Sequence, residues 1–244
     1  MRNIKLVLEY DGTNYCGWQF QPISTVLTIQ GELQQALKVF LREDVKLIAA
    51  GRTDTGVHAL GQVVNFKTNS EMEPKRIVGA LNGTLPADIR AVSAEQVPLD
   101  FNARFDAKKR EYRYYITRRD RAVGHHYSWC YRAPLNIEQI RIATSFLVGE
   151  HDFKSFCKAR ADVAHHKCTI EKIEWTEEND FLILTIISNR FLHNMVRTIV
   201  GTMIEVGLGN IEASDLKKIL EARDRRCAGP KAPAKGLFLT KVYY

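Results

Sequence analysis

Long apolar runs are absent from this 244-residue chain; the longest candidate, Phe181 to Ile187, is strand-sized. A helix crossing a bilayer needs roughly 20 such residues, so no membrane association is expected. Cysteine is scarce as well. The five present, at 16, 130, 157, 168 and 227, are odd in number and form no C-x-x-C pair. That argues against a disulfide scaffold and for a reducing compartment. Cys157, His165, His166 and Cys168 supply ligand atoms, but their spacing matches no familiar zinc finger and adjacent histidines rarely both ligate, so no metal is expected. Also missing are G-x-x-x-x-G-K-[ST], which a phosphate-cradling loop requires, and G-x-S-x-G, the turn of a serine nucleophile. Strand-like alternation begins by Ile4, leaving no room for a signal or transit peptide, and a cytoplasmic location is expected.

Acidic residues are the minority, 28 against 35 Lys and Arg, for a net charge of +7. So modest an excess matters through its distribution. Between positions 104 and 132, Arg104, Lys108, Lys109, Arg110, Arg113, Arg118, Arg119, Arg121 and Arg132 face only Asp106, Glu111 and Asp120. Phe105, Tyr112, Tyr114, Tyr115, Tyr127, Trp129 and Tyr131 are interleaved with them. Cations neutralise phosphates and aromatic faces stack on unpaired bases, so nucleic acid is one reading. A solvated basic strand edge with its tyrosines in the core is the other.

Periodicity gives the architecture. Residues 3–9 alternate as a half-buried strand, and Ile29, Leu33, Ala36, Leu37 and Phe40 follow helical spacing. Strands are predicted around 45–50, 62–67 and 89–95, with a helix over 73–82. A strand over 112–117 opens the second half, and a helix begins at Asn136. Strands over 167–176 and 180–188 follow, with helices over 191–206 and 214–223 and a final strand over 237–243. Both halves therefore read β-α-β-β-α-β, an α+β arrangement divided into residues 1–105 and 106–244. Two such halves side by side would form one extended, mainly antiparallel sheet with helices on one face. A cleft at their junction would let the loop of Asp54 meet the strand of Tyr112.

Among the loops, Gly51-Arg52-Thr53-Asp54-Thr55-Gly56-Val57-His58-Ala59 draws attention. Glycine permits positive φ or close backbone approach, and functional side chains favour loops on rigid scaffolds. Asp54 lies between two threonines whose hydroxyls can donate to its carboxylate. It reads either as a hairpin-turn residue or as a carboxylate held ready for chemistry. If buried it needs a cation, since a desolvated carboxylate otherwise takes up a proton. Arg197 is the best candidate: a lone arginine in the run from Phe191 to Ile204 is costly to bury unpaired. Helical spacing sets His193, Arg197 and Gly201 on one face, which favours a paired cation over one that snorkels to solvent. Tyr112 is either a core tyrosine or an aromatic wall for a base. His58 is read as structural.

Taken together these residues resemble the tRNA pseudouridine synthase A family, nearly end to end. The resemblance is carried by Glu9-Tyr10-Asp11-Gly12-Thr13 with Tyr15, Gly17, Trp18 and Gln19, by 29–33 (IQGEL), and by the nine residues from Gly51. It continues through 101–105 (FNARF), 109–114 (KREYRY), His151-Asp152-Phe153, Asn194-Met195-Val196-Arg197, and 228–237. Arg190 before Phe191, and Lys231 and Lys235 near the end, depart from the pattern; they bear on RNA affinity and loop shape rather than chemistry.

The resemblance implies a homodimeric isomerase that needs no metal or organic cofactor. It implies conversion of uridine to pseudouridine at positions 38, 39 and 40 of the tRNA anticodon stem-loop. Asp54 would be the essential carboxylate, Arg197 its ion-pair partner and Tyr112 the aromatic stacked on the target base. Arg52 would fill the space that the flipped base vacates, and Lys109, Arg110 and Leu237 would join Arg52 and Tyr112 in binding RNA. Two other classes remain open to the residues themselves: a non-catalytic tRNA-binding or RNA-folding module, and an enzyme that cleaves nucleosides and releases the base.

Overall fold

The computed structural model describes residues 1–22, 25–158 and 165–244. They form two compact units, Met1–Lys108 with Phe238–Tyr244, and Lys109–Leu237. Each is α+β.

In the first unit the order is β1 (Arg2–Tyr10), α1 (Ile29–Leu41), β2 (Ile48–Ala49), β3 (His58–Thr68), α2 (Pro74–Thr84) and β4 (Ile89–Val97). Strand β1 is central between β3 and β4 and antiparallel to both. Its alternation buries Ile4, Leu6, Leu8 and Tyr10 on one face, as a period of two requires. Tyr10 thereby ends the strand with its ring on the core side. Helix α1 starts where Thr28 accepts the Gly31 N–H and stops where Arg42 turns left-handed. Two buried amides tie the segment after β4 to the sheet: Asn65 donates to Asn3 Oδ1 at 2.9 Å and accepts from Ala103 N, while Asn3 donates to the Phe101 carbonyl. The strand expected over 45–50 is paired only at Ile48 and Ala49.

The second unit contains β5 (Lys109–Thr117), β6 (Trp129–Cys130), α3 (Ile137–Ser145), β7 (Gly149–Asp152), β8 (Lys167–Glu178), β9 (Phe181–Ser188), α4 (Met195–Gly207) and α5 (Asp215–Ala222). Strands β5, β9, β8 and β7 are neighbours in that order, each pair antiparallel, and β6 runs parallel beside the end of β5. Asn136 caps α3 as expected, accepting from Gln139 N. Helix α4 begins four residues later than the apolar run predicts, because Asn194 has φ 66°. That left-handed backbone cannot continue a right-handed helix. His193 consequently precedes the helix and is not on a helical face with Arg197. Of α4's thirteen residues only Arg197 and Glu205 escape burial, which is why its sequence is apolar all round.

The last strand, β10 (Leu237–Tyr243), returns to the first unit, where Phe238 and Leu239 pair in parallel with His58 and Ala59. The sequence division assigned it to the second half. Alternation identifies a strand but carries no information about which neighbour it joins, and the ring of Phe238 stacked on His58 supplies the local attachment.

Two glycines in helices should respond oppositely to a methyl group. A Cβ at Gly201 would overlap the Pro230 carbonyl oxygen, whereas one at Gly79, in α2, meets nothing within 4 Å. Gly201→Ala is expected to destabilise the chain by about 1–3 kcal/mol through overpacking. Gly79→Ala should stabilise it by roughly 0.5–1 kcal/mol through helix propensity. Urea unfolding of the two variants checks both signs.

Candidate functional site

The loop of Asp54 joins β2 to β3 and is gripped by the segment that follows β1. At its start, Gln62, fully buried on β3, donates to the Gly51 carbonyl at 2.9 Å, and Ala50 N donates to Val63 O. In the middle, Thr53 Oγ1 meets Tyr10 OH at 2.8 Å in a buried pair, and the Thr53 carbonyl accepts from Trp18 N at 3.1 Å. Gly56 N donates to Tyr15 O, and Val57 N closes the turn on the Asp54 carbonyl at 3.1 Å. Tyr15 is itself anchored by a 2.6 Å hydrogen bond to Asp88.

Close approach of the two backbones makes this grip possible. A Cβ at Gly12 would overlap the Val57 carbonyl, and one at Gly17 would stand 2.5 Å from Thr53 O and 3.0 Å from the Asp54 carbonyl carbon. Gly17 also has φ +85°, a backbone that side chains avoid. Asp54 itself is half-buried, Arg52 and Thr55 are exposed, and Thr53 and Val57 on either side are buried. The Thr53 hydroxyl is also engaged by the Tyr10 phenol. The sequence offers Thr53 to its neighbour in the chain, and strand alternation aims the Tyr10 phenol at the same spot. His58 is buried, with Nδ1 3.0 Å from Asp11 Oδ1 and its ring 4.6 Å from that of Phe238. It is a structural residue, as read from the sequence.

In the second unit Arg197 is half-buried on α4. Ala232 holds it twice: the Ala232 carbonyl accepts from Arg197 Nε at 2.8 Å, and Ala232 N donates to the Arg197 carbonyl at 3.0 Å. Gly201, one turn on, abuts the same loop at Pro230, and Gly229 N donates to Thr202 Oγ1. The loop around Pro230 thus lies along α4 and fixes the direction of the arginine. Burial pushes the Tyr114 phenol upward, and the positive charge of Arg197 opposes that shift.

Tyr112 and Tyr114 share the inner face of β5. Tyr114 is wholly buried and donates to the Pro233 carbonyl at 2.8 Å, so it belongs to the core. Tyr112, nearer the strand's start, packs edge-on against Phe191 at 5.0 Å. Lys109 pairs with Glu171, and Arg110 donates to the Asn189 carbonyl at 2.9 Å. Farther along the basic segment, Arg118 pairs with Glu177, Arg119 and Arg121 with Asp180, and Arg132 with Asp120. The carboxylates of Glu177 and Asp180 come from the end of β8 and the turn after it, which a count along residues 104–132 cannot include. Leu237 is buried at the head of β10.

Asp54 and Arg52 therefore lie in the first unit, and Tyr112, Arg197, Lys109, Arg110 and Leu237 in the second. Residue-by-residue reasoning did not single out Tyr10, Gln62 or Ala232. For Gln62 the signal was available, since it is an amide entering the apolar run Gln62-Val63-Val64. Among the described residues no group of three or more His, Cys, Asp or Glu is arranged to hold a metal ion. Burial pushes the Cys168 thiol up to about 12. No described helix is long and apolar enough to cross a membrane.

The sequence model of the family described as tRNA pseudouridine synthase matches residues 6–106 and 143–244. Proteins named tRNA pseudouridine synthase A are similar over essentially the whole length. The protein of Thermoanaerobacter sp. (strain X514) is 44% identical over 246 residues, with all of both chains covered. That of Chlorobium limicola is 46% identical, again with all of both chains covered. That of Exiguobacterium sp. (strain ATCC BAA-1283 / AT1b) is 45% identical, covering 100% of this chain and 98% of the relative.

The buried phenol of Tyr10 gives the loop a pH signature. Burial raises it to about 12, partly offset by hydrogen bonds with Thr53 and Gln62. An unfolded tyrosine ionises near pH 10. The folded chain thus keeps the proton longer, and the stability from this group is full below about pH 10 and lost as pH rises toward about 12. Tyr10→Phe should cost about 1 kcal/mol at neutral pH through the lost hydrogen bond. It should also lose less stability than the parent between about pH 9 and pH 11.5, measured by urea unfolding at each pH.

Proposed function

Because the chain belongs to the tRNA pseudouridine synthase family, isomerases that convert uridine in tRNA to pseudouridine, we propose that it acts at positions 38, 39 and 40 of the anticodon stem-loop with Asp54 as the essential carboxylate. The observation that carries the assignment is the grip on the Asp54 turn. Buried or backbone contacts from Tyr10, Tyr15, Trp18 and Gln62 hold a short loop whose apex is an acidic side chain. An ordinary hairpin turn needs no such support, whereas a reacting group gains from being held in one geometry.

The reaction breaks the C1′–N1 bond, turns the base, joins C1′ to C5 and releases the C5 proton. An ionised Asp54 serves it covalently, at C1′ or at uracil C6, or by taking a sugar proton. Hydrolytic glycosidases generally add a second carboxylate to activate water. An isomerase instead retains the base and excludes water, which suits a single carboxylate. In this proposal Arg197 is the ion-pair partner of Asp54, its direction fixed by Ala232. Tyr112 stacks on the target base, and Arg52, exposed on the Asp54 loop, fills the place the base leaves. Extruding a base costs a few kcal/mol, offset by stacking and phosphate contacts. Lys109, Arg110 and Leu237 complete the RNA-binding set. The enzyme acts in the cytoplasm as a homodimer, without metal or organic cofactor.

With unmodified tRNA tritiated at uridine C5, the protein should release tritium to water. Asp54→Asn should reduce release by at least about 10³-fold while leaving tRNA binding within a few-fold. Tight binding without release from any tRNA would mark a binding module instead, and free uracil would mark a nucleosidase.

Arg197→Lys should lower kcat by roughly 10²-fold, since a planar guanidinium held at Nε is replaced by a point charge. Near-normal turnover of that variant would remove Arg197 from the ion-pair role.

A further inference from the structure

His58 is the first residue of β3 and follows the Asp54 turn directly. Its ring is 1% exposed and is enclosed within the first unit by three features. The Asp11 carboxylate lies 3.0 Å from Nδ1, Gly12 N lies 3.1 Å from the same nitrogen, and the Phe238 ring stacks on it at 23°. One ring nitrogen cannot donate to Asp11 and accept from Gly12 together. Gly12 N–H is directed at Nδ1 and would be accepted by the tautomer protonated at Nε2. Two acceptors 3.0 Å apart repel, however, so the carboxylate favours the tautomer with the proton on Nδ1, which donates to Asp11 in place of accepting from Gly12. The same Oδ1 also accepts from Thr13 N at 2.9 Å and from Thr13 Oγ1 at 2.5 Å. Asp11 N in turn donates to the Asp88 carbonyl, and Asp88 receives the Tyr15 hydroxyl.

These contacts converge on the Asp54 turn. Val57, between the turn and His58, bonds back to the Asp54 carbonyl, and its own carbonyl lies against Gly12 where no side chain fits. The Asp11–His58 contact therefore bridges the two backbones at the point where the turn enters β3. Tyr10 and Gln62 secure the other end through Thr53 and Gly51. Without the bridge, the Val57 end of the turn would keep its backbone contacts and the packing of the buried Val57 side chain.

We propose that His58, through its Nδ1 hydrogen bond to Asp11, is a positioning residue that sets the Asp54 carboxylate for isomerisation and takes no proton from the substrate. The inference rests on Asp54 being the essential carboxylate. It specifies that the pair acts on turnover and not on RNA affinity, because the His58 ring is buried and Asp11, the partly exposed member, is an anion that does not attract a polyanion. A displacement of the order of 1 Å at a reacting group lowers rate about 10²-fold.

The test is steady-state tritium release by the full-length protein on C5-tritiated, unmodified tRNA. His58→Leu should lower kcat by about 10- to 100-fold with KM within about twofold. His58→Asn, whose Nδ2 stands where Nδ1 does and can still donate to Asp11, should recover most of that loss. Asp11 is partly exposed, so Asp11→Ala should fold even where His58→Leu does not, and it should show the same kcat loss. The double variant should be little worse than either single one, because both remove one contact. Equal losses in the Asn and Leu variants would assign the effect to packing on Phe238 and overturn the proposal. So would unchanged kcat in Asp11→Ala, or a rise in KM alone. Asp54→Asn run alongside separates the two assignments. If it stays active, the Asp54 assignment fails; if it is inactive while the His58 and Asp11 variants turn over normally, only the positioning role fails.

Discussion

Backbone pressed against backbone is the contact on which the rest of this structure depends. At Gly12 and Gly17 the segment after β1 touches the Asp54 loop so closely that no Cβ fits between them. Every other restraint on the loop follows from that proximity, including the Tyr10–Thr53 pair, the Trp18 and Tyr15 backbone bonds and the Asp11–His58 contact. Arg197 is fixed by the same means. Gly201 and Gly229 let the loop of Pro230 lie on α4, and only at that distance can Ala232 bond the arginine twice. Two residues of opposite charge are each held through main-chain contact, which shifts less than long side chains do.

Most elements were legible because their periodicity is local. Alternation along β1 and β5 and the capping residues Thr28 and Asn136 are properties of a few consecutive residues. What the sequence concealed was long-range. The partner of β10 depends on a stacking contact between positions 58 and 238, and the late start of α4 on one left-handed asparagine inside an apolar run. Of the candidate site, Asp54 and its glycines were readable as an unusual loop. Its support at Tyr10 was not, since a tyrosine ending a strand is ordinary until its partner is known, and the amide of Gln62, though conspicuous in its apolar run, did not reveal what it holds.

Charge shows the same division between local and distant information. The segment from Arg104 to Arg132 is strongly basic when counted along the chain, yet Arg118, Arg119 and Arg121 are met by Glu177 and Asp180 from the end of β8 and the turn after it. Such exposed pairs are worth little, about 0–1 kcal/mol each. A phosphate that replaces the carboxylate therefore meets a small barrier, and the released acid returns to water. These acidic partners would therefore leave the arginines available to a bound RNA, whose affinity draws on counterion release across several phosphates rather than on one strong contact.

An isomerase that must not hydrolyse its substrate has a narrower requirement than a carboxylate of the right charge. The base is detached from the sugar during the reaction, and any motion of the reacting group that admits water ends in cleavage. If Asp54 is the reacting group, as proposed, restraint from both ends of its turn answers that requirement. Thr53 is held through Tyr10 on one side, and Val57 by the Gly12 contact beside the Asp11–His58 pair on the other. A turn secured at one end alone would pivot about that end and leave the carboxylate with an arc of positions. Two anchors, one residue before the acid and three after it, shorten that arc. On the proposed function, the buried histidine that the sequence marks as structural would be half of what keeps the aspartate selective.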